Sequence, residues 1–297
     1  MSSFVARPIA DRLEGQPSPT RLFVSDGALL TQDHFRDEQL YLRGLLARLA
    51  LFATGHGTLA GFNVTYDPPA GGLDVEVKVD PGLAIDRLGR LIEVPYASCL
   101  RLTDWVARVS TTDEGRAELQ AGLRAAAGPL PDRVVADVYL RFKACARTPE
   151  PAFATLNADT IDSVQPSRVL DAGVLDLVVR PDGDDRAPSS LAAANLADPV
   201  SIDRLQQFKR EDAFRLTRAE QEPFALPAGP PLSEHIVAGN RQDGSEVHLA
   251  RLAIPIDASD PAAIVFDTTV PLPDPDQSLR PYAYGAAELA LLSGIRR

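Results

Sequence analysis

Between Leu73 and Asp80 apolar and charged residues alternate without a break: Leu73, Val75, Val77 and Val79 against Asp74, Glu76, Lys78 and Asp80. Strict period two puts one side of the segment in apolar surroundings and the other in water, which describes a half-buried strand of an antiparallel sheet. A helix would scatter the same residues around its circumference, so this octet commits the chain to a sheet with one covered face. The flanks extend it. Gly61-Phe62-Asn63-Val64-Thr65-Tyr66 reads as a short strand, followed by a turn at Pro68-Pro69-Ala70-Gly71-Gly72. After Pro81-Gly82, the runs Leu83-Ala84-Ile85 and Leu91-Ile92-Glu93-Val94 flank the loop Asp86-Arg87-Leu88-Gly89-Arg90. This predicts a hairpin in which Gly89 supplies a positive φ. Pro95 closes the unit.

A helix precedes these strands. Asp33 is placed to cap it, Arg36, Asp37 and Glu38 open its polar face, and Phe35, Leu42, Leu45, Leu46, Leu49 and Phe52 recur at helical spacing. The apolar stripe predicts core packing. Gly55 and Gly57 stop the helix, and no heptad run of useful length is present. Residues 103–127 read as helical and end at Pro129 and Pro131. Val134–Phe142 and Val174–Val179 read as strands able to pair across a loop carrying Pro149, Pro151 and Pro166. Ser189–Ala197 and Ser201–Glu220 read as helices, and Ser233–Val237 with Val247–Ile254 as a closing β pair. The chain therefore divides into an extended N-terminal arm (1–20), a helix plus β-hairpin unit (21–102), a helical insert with strands (103–182), a helical insertion (183–232), closing strands (233–270), and a proline-rich linker with a C-terminal docking helix (271–297). The expected fold is α+β and β-rich, an antiparallel sheet or sandwich core with an N-terminal amphipathic helix, helical insertions and extended terminal arms.

Composition narrows the function classes. A net charge of -11 repels phosphate backbones, which argues against nucleic acid as a direct partner. No run of about 18 apolar residues exists, so no membrane span is expected, and the N-terminus lacks the basic and apolar regions of a signal peptide. Cys99 and Cys145 are expected to be buried free thiols.

Motifs that carry chemistry are missing. His34, His56, His235 and His248 stand too far from one another and from either cysteine for a zinc site. His34 and His56 are expected to cap or lie at the surface, and His248 on the wet face of its strand. Gly55-His56-Gly57 follows a helix, where a dinucleotide loop would follow a strand. Asp182, Asp184 and Asp185 around Gly183 lack the later ligands of a calcium loop. No catalytic residue, cofactor or metal ligand is assigned, and the chain is expected not to be an enzyme. The termini carry the candidate partner-docking residues instead: Phe4, Tyr282, Tyr284, Leu289, Leu292 and Ile295.

Several segments, in order, resemble a known group. Ser25-Asp26-Gly27-Ala28-Leu29-Leu30-Thr31 with Asp33-His34-Phe35-Arg36-Asp37-Glu38-Gln39-Leu40-Tyr41 is similar to a recurring strand-and-helix opening. Gly57–Val64 follows it, then Val79-Asp80-Pro81-Gly82-Leu83-Ala84-Ile85-Asp86 with Gly89-Arg90-Leu91-Ile92-Glu93-Val94-Pro95. Pro166-Ser167-Arg168-Val169-Leu170 and Val247–Leu252 complete the set. Together these resemble structural proteins of phage tails and extracellular contractile injection systems, of the baseplate or tail-fibre-attachment kind. The helical insert 103–127 and the segment 189–230 depart from that pattern. The resemblance implies a structural or adaptor subunit, oligomeric within a particle, assembled in the cytoplasm, with other tail or baseplate subunits as partners. Two alternatives stay open. One is a receptor- or carbohydrate-binding fibre-tip module, presenting exposed aromatics such as Tyr282, Tyr284 or Trp105. The other is a glycan or peptidoglycan hydrolase of the same particle, needing two carboxylates in a cleft.

Overall fold

The computed structural model describes residues 21–67, 75–125, 132–151, 164–183, 246–260, 264–286 and 288–289. The expected arm 1–20, the insertion 183–232 beyond Gly183, Ser233–Val237 and the last eight residues lie outside them. The architecture is mixed α and β and strand-rich, and every strand ladder is antiparallel.

Helix α1 (Gln32–Thr54) leads. Its N-cap is Thr31 rather than Asp33: the Thr31 N–H donates to Nδ1 of His34 at 3.0 Å, a back-reaching contact of capping-box type that leaves Asp33 inside the first turn. Gly55, at φ +81°, ends the helix, and its N–H donates to the Leu51 carbonyl.

Six short strands follow. β1 (Gly57–Gly61), β4 (Gly82–Ile85) and β5 (Leu91–Val94) form one sheet in the order β1-β4-β5. β2 (Val64–Asp67), β3 (Glu76–Val79) and β6 (Ser98–Arg101) form another, β2-β3-β6. The two are joined by a shared bend. Phe62 N–H donates to the Pro81 carbonyl and Asp80 N–H to the Asn63 carbonyl, so the path β1-β2 turns its corner together with β3-β4. The corner is tight: a Cβ on Gly82 would stand 2.7 Å from the Phe62 ring and from the Ala60 carbonyl. Phe62 fills it, fully buried, at a φ of +58° that a non-glycine residue rarely adopts. The predicted alternation of β3 is realised, with Val77 and Val79 buried and Glu76 and Lys78 half-exposed.

Helices α2 (Leu102–Val109) and α3 (Asp113–Ala121) make the first insert, with Leu102, Trp105, Val106 and Leu119 buried. The third sheet is built on β8 (Arg133–Pro151). β10 (Val247–Asp257) lies along one edge and carries β11 (Val265–Phe266) beyond it. β7 (Leu123–Arg124) and β9 (Val164–Val179) share the other edge. The pairing of Val134–Phe142 with Val174–Val179 occurs, but the ladder runs on to Pro151↔Val164. The proline-bearing segment expected as loop is thus largely strand, with Pro149 opposite Pro166. β10 pairs β8 only as far as Leu140, so beyond it a missing N–H removes no bond to β10.

The side chains of all three sheets and both insert helices meet in one core, including Phe62, Val79, Ile92, Trp105, Leu140, Leu249 and Ile254. The residues after Pro275, expected as a linker, are extended and lie on their own chain. Asp276 exchanges two backbone hydrogen bonds with Arg251 of β10, and Thr58 of β1 pairs with Pro281 and Ala283. Gln277 pairs through its amide with both backbone groups of Val64 on β2. Buried Arg280 donates to the carbonyls of Leu249 at 2.8 Å and Gly61 at 3.3 Å. This strap staples the three sheets to one another.

Candidate functional site

Two buried carboxylates show what the charged interior does. Asp137 on β8 is fully buried. Its Oδ1 accepts from Arg251 Nε at 2.8 Å, and its Oδ2 accepts from Arg180 Nη1 at 2.8 Å and Arg251 Nη2 at 3.2 Å. His248 Nε2 stands 3.4 Å from Oδ1, and the Tyr139 ring meets the His248 ring edge-on. Burial alone would raise the Asp137 pKa, but His248, Arg251 and Arg180 hold it well below the usual carboxylate range. The cluster ties β8 to β10 and to the end of β9. His248 is therefore not on a wet face. β10 is covered on both sides, so its alternation marks no solvent side.

Asp86 opens the β4–β5 loop. Its Oδ1 accepts from the N–H groups of Leu88 and Arg90, and its Oδ2 accepts from Arg90 Nε at 2.5 Å. The Arg90 guanidinium in turn lies 4.6 Å from the centre of the Phe142 ring. In this hairpin Asp86, Gly89 and Arg90 shape the loop and its seat. His56, expected at the surface or as a cap, is buried just before β1, near the strap, and burial with the neighbouring Arg87 charge lowers its pKa to about 4. Both cysteines are free; Cys145 is buried as expected, but Cys99 is exposed, because it lies opposite Lys78 on the outer face of its sheet while Leu100 takes the core side.

The loop positions α1. A Cβ on Gly89, at φ +79°, would stand 2.1 Å from the Ala47 carbonyl, and Leu88 and Leu51 form a small buried cluster of their own. The helix therefore docks through Gly44, Ala47 and Leu51. At 100° per residue those positions lie on the side opposite the large apolar stripe. Phe35, Leu42, Leu45, Leu46 and Leu49 are 48–65% exposed. The stripe predicted to pack in the core faces outward. The approach to the helix adds to it: Phe23, Val24, Leu29 and Leu30 are exposed, and Leu22 N–H is held by Glu38 Oε2. Scattered surface leucines are ordinary, but a contiguous set on one helix face is the mark of a contact surface.

Among the proposed docking residues, Tyr282 (46%) and Tyr284 (39%) are partly exposed on the strap, with ring centres 6.1 Å apart, and Leu289 is exposed. Phe4, Leu292 and Ile295 lie outside the described residues. Trp105 is buried and contributes to no surface. Among the described residues no group of three His, Cys, Asp or Glu side chains is arranged to hold a metal ion, and no helix is long and apolar enough to cross a membrane. No protein-family model matches the chain, and no curated protein is significantly similar to it.

Proposed function

We propose that this chain is a non-catalytic structural subunit that joins neighbouring proteins in a contractile, phage-tail-like particle, at the baseplate or where fibres attach. The observation that carries the reading is the outward face of α1. A helix anchored by its small residues and presenting Phe35, Leu42, Leu45, Leu46 and Leu49 to solvent is built to be covered by another protein. The interior supports the same reading: among the described residues, the two buried carboxylates are held by arginines, Asp86 within its loop and Asp137 between strands. The placement in a tail-like particle rests on the sequence resemblance. The test is to tag the chain in its native host and sediment the particles. Wild-type chain should co-sediment with sheath and tube proteins, and a Leu42→Asp/Leu49→Asp variant that folds normally should stay in the unassembled fraction. Equal sedimentation of both would remove the role given to α1.

The exposed Tyr282–Tyr284 pair favours a second reading, a receptor- or sugar-binding module, since adjacent tyrosine rings form a stacking platform. Glycan binding lost in Tyr282→Ala/Tyr284→Ala but intact in the α1 variant would support it.

A further inference from the structure

Beyond Leu140, β8 pairs among the described residues with β9 alone, and the two strands run on as a ribbon to Pro151 and Val164. Residues directly opposite in an antiparallel pair share a face. One face of the ribbon belongs to the core: Phe142 and Ala144 are buried there, and Gly173 lies against Ile92 and Val94. On the other face Arg141 is answered by Asp176 at 2.8 Å. Past that pair the charges are all positive. Lys143, Arg147 and Arg168 are exposed, and no ion pair or hydrogen bond joins them to a carboxylate among the described residues. Arg147 and Arg168 stand directly opposite each other. Like charges so placed have Cβ atoms about 5 Å apart, and their repulsion weakens the ladder. In a chain with a net charge of -11, this is a local reversal of sign. Leu170, opposite the buried Cys145 and between the three cations, is 42% exposed. The backbone beside the arginine pair is strained as well. Thr148, a β-branched residue, has φ +51°, and the Ser167 hydroxyl donates to its carbonyl at 2.9 Å. Repulsion and strain both lower the stability of the ribbon end, and the core gains from neither.

We infer that this face is a docking surface for an extended acidic segment of another protein. Strand rise sets the pattern that fits. Lys143 and the arginine pair stand about 13 Å apart along β8, with Leu170 midway. An extended peptide lying along the ribbon meets them with carboxylates four residues apart and an apolar side chain between. Carboxylates suit the arginines, which grip them with two parallel hydrogen bonds. A phosphate backbone has no group to cover Leu170 and is repelled by the net charge of the chain. One leucine is too little apolar surface to hold a lipid bilayer. The surface shares no residue with α1, so its occupancy is independent of what covers that helix.

The experiment titrates a fluorescein-labelled peptide, Gly-Ser-Glu-Thr-Leu-Thr-Glu-Ser-Gly, with the full chain and follows anisotropy. Binding at about 10–500 μM is expected, weakening severalfold as salt rises from about 0.05 to 0.5 M. A peptide with glutamine for both glutamates should bind at least about fivefold more weakly. Arg168→Glu places a carboxylate opposite Arg147. It should bind the acidic peptide at least about fivefold more weakly, while the urea midpoint of the chain stays level or rises. No binding at about 1 mM chain, equal binding of the glutamine peptide, or unchanged binding by Arg168→Glu would overturn the inference. A lower midpoint in Arg168→Glu would also overturn it, by showing that the opposed arginines serve the fold. Tighter binding to phosphatidylserine vesicles, or to a single-stranded DNA of about 15 nucleotides, than to the peptide would overturn it in favour of a phosphate-bearing partner.

Discussion

Gly89 and Ala47 are in backbone contact: the glycine sits where any Cβ would stand 2.1 Å from the Ala47 carbonyl oxygen, at a φ of +79°. One residue in a hairpin loop thereby decides how close helix α1 lies to the sheets and which of its faces is left outside. Gly89→Ala meets both the clash and the left-handed backbone. It should cost at least about 2 kcal/mol. Denaturant unfolding should show a lower midpoint, and hydrogen exchange should show the α1 amides opening before those of β8.

The outward leucines make the opposite prediction. Leu46→Ser and Leu49→Ser should each change the stability of the dilute chain by no more than about 0.5 kcal/mol, where a buried leucine cut back to alanine costs about 2–5 kcal/mol. Urea titrations of the two variants beside Leu140→Ala check the contrast. A large loss at Leu46 or Leu49 would mean that the stripe is buried.

Much of this was legible in the sequence, and the failures have particular causes. The alternation at Val75–Val79 and the glycine-closed loop at Asp86–Arg90 are local signals, and both features form as expected. The helix period at Phe35–Leu49 shows that a face exists, but not which face docks. The informative residues were the small ones, Gly44 and Ala47, which a search for apolar stripes passes over. His248 looked solvent-facing because its strand alternates, whereas β10 is covered on both sides by contacts distant in sequence. The strap at Asp276–Ala283 is held by backbone pairing and by Arg280 reaching Leu249, thirty-one residues away, which proline content cannot reveal.

The clasp at Asp137 should behave as a unit. Asp137→Asn keeps the shape but leaves Arg180 and Arg251 around an uncharged amide, at a cost of about 3–5 kcal/mol. Because the native carboxyl pKa is depressed, its stabilisation is complete above the unfolded carboxylate range and is lost as pH falls below about 4. Wild-type stability should therefore decline below about pH 4, and the variant should show a shallower decline over the same window.

His56 acts at milder pH. Its native pKa is lowered from 6.5 to about 4, so the unfolded chain binds the proton more tightly. Stability contributed by the neutral ring is present above about pH 6.5 and is lost as pH falls toward 4, by about 3 kcal/mol over the whole interval. His56→Leu should remove this loss between pH 6.5 and 4, leaving the opposite contribution of Asp86, whose carboxyl burial raises to about 6 against the pull of Arg90, and the fall below pH 4. Guanidinium titrations at half-unit pH steps separate the two windows.

The central claim is that the face of α1 bearing Leu42, Leu46 and Leu49 is covered by protein in an assembled tail-like particle. Cryo-electron microscopy of particles purified with the tagged chain measures this directly. Density for the chain is expected in the particle, with α1 packed along that face against a neighbouring subunit. Particles lacking the chain, or containing it with those leucines turned to solvent, would contradict it.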